Sequence, residues 1–100
     1  MTKDFTLYLE PDVWKLGIMQ KGDLGNGVQY VFKFMNNYGA SVVKRPGSYG
    51  FRNDLWELAV IRWYNDEEWH ITYDTEITSD VIGDLTNAEV NEVLMRISKL

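Results

Sequence analysis

Two apolar runs around a polar tetrad constrain this chain more than any other feature. Leu55-Trp56-Glu57-Leu58-Ala59-Val60-Ile61-Arg62-Trp63-Tyr64 and Trp69-His70-Ile71-Thr72-Tyr73-Asp74 flank Asn65-Asp66-Glu67-Glu68. β-Branched and aromatic residues suit a pleated surface and the tetrad suits a turn, so the pattern predicts an antiparallel hairpin. With Tyr64 opposite Trp69, Arg62 faces Ile71 and Val60 faces Tyr73. A two-residue loop at Asp66-Glu67 keeps that register. One face then holds Trp56, Leu58, Val60, Tyr64, Trp69, Ile71 and Tyr73, and is expected to be core. The other holds Leu55, Glu57, Ala59, Ile61, Trp63, His70, Thr72 and Asp74, a mixed surface that is either wet or covered.

A chain of 100 residues builds one modest core, so residues 1–100 read as a single domain. No apolar run approaches the roughly 18 residues of a membrane span. The start, Met1-Thr2-Lys3-Asp4, leads into no signal-peptide core. Cysteine is absent, which excludes disulfides and thiolate chemistry and fits a reducing cytoplasm. Net charge is −5, but residues 1–52 carry +3 and residues 53–100 carry −8. That balance disfavours nucleic-acid binding, which depends on Lys and Arg neutralising phosphates. Solubility is the ordinary reason for such a charge.

Along the chain, Phe5-Thr6-Leu7-Tyr8-Leu9 alternates and is expected to be a first strand, ended by Glu10-Pro11-Asp12. Residues 13–21 fit either a strand, through Trp14, Leu16 and Ile18, or a short helix. A Gly-rich loop with an Asn26-Gly27 turn closes the N-terminal region at 27. Residues 28–74 read as an antiparallel meander: a strand over 28–35, a turn at Asn36-Asn37-Tyr38-Gly39, a return over 40–45, a long loop over 46–54, then the hairpin. Residues 75–100 are connector and helix, with Val81-Ile82-Gly83 expected as one helical turn. The C-terminal helix has the strongest local signals. Thr86 and Glu89 form a capping box, and Leu85 and Val90 a hydrophobic staple. Val90, Val93, Leu94 and Ile97 then make one apolar stripe. The expected fold is α+β, an antiparallel sheet of four to five strands with that helix packed on one face.

No residue set carries catalysis. His70 is the only histidine, so a two-His metal site is impossible within one chain, and a structural or surface role is favoured. Asp66-Glu67-Glu68 lacks calcium-loop spacing and reads as solvated turn charge. Asp74 and Glu76 would share a strand face, without any matched acid–base environment. Gly47-Ser48-Tyr49-Gly50 is not a nucleophile elbow, because the serine directly follows the first glycine. With Lys44, Arg45 and Arg52 it is the one basic, glycine-containing segment and could cradle an anion. The plainer reading is a long hairpin connection. The aromatic content is more telling, at 14% with four Trp. A sheet with one helix covers one face, so either the N-terminal 27 or so residues cover the second face or a partner does. The expected partner surface combines Ile61, Trp63 and His70 with Tyr49, Phe51 and Arg52. No cofactor or metal is expected.

Three segments carry a resemblance: Asn37-Tyr38-Gly39-Ala40-Ser41-Val42-Val43, Leu55-Trp56-Glu57-Leu58-Ala59-Val60, and residues 71–86, beginning Ile71-Thr72-Tyr73-Asp74 and ending Asp84-Leu85-Thr86. Together they resemble a group of short uncharacterised proteins of phages and prophages of Gram-positive bacteria, over roughly residues 32–97. The resemblance brings no functional residues with it. It implies expression in the cytoplasm of a bacterial host and an accessory role exercised by binding. The expected function is thus non-enzymatic protein–protein binding to an unidentified host or phage protein, modulating a host or defence protein. The alternative is a small structural or assembly protein that forms homo-oligomers through its sheet. No membrane partner is expected.

Overall fold

Strands form where β-branched and aromatic residues concentrate, as in residues 28–34 and 56–63. In the computed structural model, which describes residues 3–100, six strands form one antiparallel sheet. They are β1 (Gly17–Asp23), β2 (Val28–Phe34), β3 (Tyr38–Lys44), β4 (Trp56–Trp63), β5 (Trp69–Ile71) and β6 (Ile82–Leu85). β1 to β4 lie in chain order, and β5 and β6 share the far edge of β4, at opposite ends of it. A single helical turn, α1 (Pro11–Trp14), precedes β1, and α2 (Asn87–Ile97) closes the chain. The fold is α+β, with α2 packed on the sheet.

One sheet face is the core. Val28, Tyr30, Phe32 and Phe34 of β2, Ala40 and Val42 of β3, and Trp56, Leu58 and Val60 of β4 meet Val90, Val93, Leu94 and Ile97 of α2. Each Val, Leu, Ile or Phe among them contributes on the order of 1.5–3 kcal/mol when taken from water. The helix begins where its sequence places it. The Glu89 amide donates to Thr86 Oγ1 at 3.2 Å and the Thr86 amide to Glu89 Oε1 at 3.0 Å, and Leu85 and Val90 are buried beside this cap.

The expected first strand over residues 5–9 does not form. Its alternation survives, with Leu7 buried and Thr6 and Tyr8 exposed, but its backbone bonds to side chains instead of a neighbouring strand. The Leu7 amide donates to the Tyr30 hydroxyl, and that hydroxyl donates to the Phe5 carbonyl. The Tyr8 and Glu10 amides donate to Asn87 and Asn91, and Asn91 Nδ2 returns a bond to the Tyr8 carbonyl. Residues 3–10 and α1 therefore pack on the same face as α2, through Leu7 and Val13. They do not cover the second face. The ambiguous stretch 13–21 divides between α1 and β1.

Two further expectations are corrected. The hairpin register is Trp63 opposite Trp69, Arg62 opposite His70 and Ile61 opposite Ile71, one residue from that expected. The connection uses residues 64–68, with the Tyr64 amide donating to the Glu68 carbonyl at 2.9 Å, and a one-residue slip reverses every side chain of the second strand. Trp69 and Ile71 thus leave the core face and His70 joins it. Residues 81–83 do not make a helical turn. Ile82 and Leu85 pair with Leu58 and Trp56 through a bulge in which Asp84 takes a φ of 56°.

Candidate functional site

The residues that alternate with the core positions make a second sheet face, and no helix lies on it, since α1, α2 and residues 3–10 occupy the other side. Its centre is sealed by its own long side chains. Trp63 lies across β3 and its indole N–H donates to the Phe32 carbonyl of β2 at 2.9 Å. This path exists because residue 39 is glycine: a Cβ there would stand 1.7 Å from the Phe32 oxygen and 3.0 Å from the indole nitrogen. Gln29 bridges to Ser41 at 2.9 Å. The Lys33 ammonium sits 5.5 Å from the Trp63 ring centre and pairs with Asp66 from the β4–β5 loop. That hydrogen bond, then the ammonium charge, hold the Asp66 carboxyl below its ordinary value.

Beside this seal lies a groove of about 190 Å³ lined by Ile18, Gln20, Val31, Lys33, Trp63 and Asp66. Val31 and the Trp63 ring give it apolar surface, and the ion pair gives it one polar end. Ile18 is 67% exposed and Ile71, further across the face, 43%. Trp69 is half-buried, its ring 6.4 Å from that of Trp63. Sequence reasoning missed Ile18 and Ile71. Placing Ile18 required knowing that residues 17–23 are a strand, and placing Ile71 required the length of the β4–β5 loop.

The six residues expected to form a partner surface do not form one patch. Ile61 and Trp63 belong to the open face, and both are buried. His70 is exposed on the opposite face, its ring edge-on to Tyr64 at 5.2 Å and its Nε2 3.6 Å from Glu68. Tyr49, Phe51 and Arg52 lie in the loop beyond β3, near the other end of β4, where the Tyr49 amide donates to Glu57 at 3.0 Å. Glu57 and Trp63 are six residues apart on one strand, about 20 Å. Tyr49 and Arg52 are exposed, whereas Phe51 is half-buried against Phe5 with the Lys3 ammonium over its ring.

The basic loop is not organised as an anion cradle. Lys44 is only 2% exposed and is consumed within the fold, donating to the Asp4 carbonyl at 2.7 Å and Asp54 Oδ1 at 2.9 Å, with its ammonium 4.3 Å from the Trp56 ring centre. The amides of Ser48, Phe51, Asn53, Asp54 and Leu55 bond to carbonyls within the loop. Asp66, Glu67 and Glu68 do not converge: Asp66 turns to Lys33, while Glu68 accepts from Asn65. Asp74 accepts from Thr72. Among the described residues no three His, Asp or Glu side chains gather where they could hold a metal ion, and no helix is long and apolar enough to cross a membrane.

Comparison with protein-family models, with curated proteins and with solved structures finds no match to this chain.

Proposed function

We propose that the protein acts by binding another protein through the open face of its sheet and catalyses no reaction. One observation carries this reading: α1, α2 and the docked N-terminal segment lie on one side, while the groove beside Trp63 and the exposed Ile71 look out from the other. Antiparallel sheets often leave one face to water, but such faces are then polar. Here the groove offers a partner's aliphatic or aromatic side chain a seat against Val31 and an indole already fixed by its hydrogen bond to Phe32. A fixed seat lowers the ordering cost of association.

The resemblance to phage and prophage proteins supports a host or phage protein as the partner, in a bacterial cytoplasm, with modulation of that protein as the result. The −8 balance of residues 53–100 disfavours nucleic acid as the ligand. Ile71→Glu places a charge on the open face at an exposed position and should leave the melting temperature unchanged. Affinity capture from the bacterial host should recover a protein with the wild type that is lost with Ile71→Glu. Recovery of the same protein by both would place the contact elsewhere.

A further inference from the structure

β1 is the long free edge of the sheet. β2, β3 and β4 are flanked on both sides, and β5 and β6 are three and four residues long. β1 runs seven residues, all paired with β2 in unbroken register. Beyond that ladder, no backbone hydrogen bond reaches residues 17–23 from the rest of the described chain. Soluble proteins usually blunt such edges with proline, bulges or several charges, because the unpaired N–H and C=O groups template another strand. β1 has neither bulge nor proline, and four uncharged residues open it, Gly17 to Gln20.

Gly22 adds a second, independent observation. A glycine inside a strand weakens it unless a bulge, a special φ or a closely approaching backbone requires it. At Gly22 there is no bulge and no positive φ, and the nearest atom to an added Cβ is the Gln29 oxygen at 3.9 Å, an ordinary contact. Nothing within the chain asks for glycine there. The open face of β1 at this point is bare, and on the same face four residues earlier stands Ile18, 67% exposed.

We infer that β1 pairs antiparallel with β1 of a second copy, about a twofold axis at Gln20, so that Ile18 of each copy lies over the partner's Gly22. An axis normal to the sheet keeps residues of one face opposite residues of that same face, so register can change only in steps of two. Centred on Gln20, all seven residues pair, with Met19 against the partner's Lys21 and no like charges directly opposed. Centred on Lys21, two lysines meet. Centred on Met19, only residues 17–21 pair and Gly22 is left outside. The glycine and the isoleucine are thus a self-complementary pair, as an isologous interface requires. The dimer is one continuous sheet with both α2 helices on one side and both open faces on the other. It goes beyond the proposed binding function, to which it would add two sites in one plane.

The chain has no cysteine, which makes the register directly testable. Directly opposed residues place their Cβ atoms about 5 Å apart, so Gln20→Cys should couple to itself on mild oxidation far faster than Glu92→Cys on the exposed side of α2. Sedimentation of the wild-type chain across the micromolar range should give twice the chain mass. Gly22→Val should give a monomer, at least tenfold weaker in association, and at dilutions where the wild type is also monomeric its melting temperature should be undiminished, because the side chain meets nothing within its own chain. A wild-type monomer throughout, a dimer indifferent to Gly22→Val, or a thiol at 20 that couples no faster than one at 92 would each overturn the inference. Ile71→Glu leaves the edge untouched, so loss of partner capture and loss of dimerisation are separable.

Discussion

Trp63 shows how one residue can be read for two opposite roles. In sequence it is an aromatic on a strand face with no evident cover, the pattern of a binding anchor. The fold gives it cover from within, because Gly39 opens a path for the indole to the Phe32 carbonyl. Trp63→Ala should therefore cost the monomer about 3–5 kcal/mol, as a buried aromatic does. Trp63→Phe should cost about 0.5–1.5 kcal/mol through the lost indole hydrogen bond. A urea midpoint unmoved by Trp63→Ala would return the residue to the surface. Nothing in the sequence links Gly39 to Trp63, since the contact spans three strands. At Asp4 the chemistry sets a pH dependence. The Thr6 amide, and then the Tyr8 hydroxyl, donate to its carboxylate and hold it below the ordinary 3.8. Tyr8 in turn is raised above 10.0, first by its hydrogen bond to that carboxylate. The depressed acid stabilises the fold above 3.8 and loses this as pH falls through its folded value. The raised phenol stabilises below 10.0 and loses this as pH rises through its own. Melting temperatures of wild type and Tyr8→Phe should differ most between those limits and converge outside them. A constant difference from acid to alkali would exclude the bond.

At the scale of elements, legibility followed how local the deciding signals are. The C-terminal helix could be read in full because its cap, staple and stripe all lie within residues 85–97. Thr86→Ala should cost about 0.5–2 kcal/mol through the lost cap, and Leu94→Ala about 2–5 kcal/mol as a large-to-small change at a fully buried site. Chemical denaturation of the two variants checks both, and an unchanged midpoint for Leu94→Ala would undo the docking of α2. The β2–β3 hairpin was legible too, with Asn37, at a φ of 67°, in its turn, although β3 begins at Tyr38, two residues before the expected return strand. The β4–β5 hairpin was legible as a hairpin but not in register. Residues 64–68 contain no glycine and no Asn-Gly pair to fix a tight turn, so loop length was free by one. That one residue decides whether Ile71 or His70 faces the core side. β6 was hidden for a similar reason, its bulge breaking the alternation that marks a strand.

For the whole molecule, the question is what holds residues 3–10 to a sheet they do not join. Leu7 is 5% exposed within the core, and the strap is fixed by side chains far along the chain, above all Asn91 on α2, which accepts from the Glu10 amide at 2.8 Å and donates to the Tyr8 carbonyl at 2.9 Å. Asn91 is itself buried, a polar residue outside the apolar stripe, and nothing local in the sequence indicates its partners. A strap tied this way should unfold with the domain. The amides of Leu7 and Glu10 should exchange hydrogen as slowly as those of α2, although neither belongs to a helix or strand. Asn91→Ala removes both bonds and leaves the Glu10 amide without its acceptor, at a cost of about 1–3 kcal/mol. In that variant the Glu10 amide should become fast while the β3 and β4 amides remain slow. If the wild-type Leu7 and Glu10 amides already exchange at the rates of an open loop, the strap does not dock, and the helix side of the sheet would then expose apolar surface around Tyr30 and Val90.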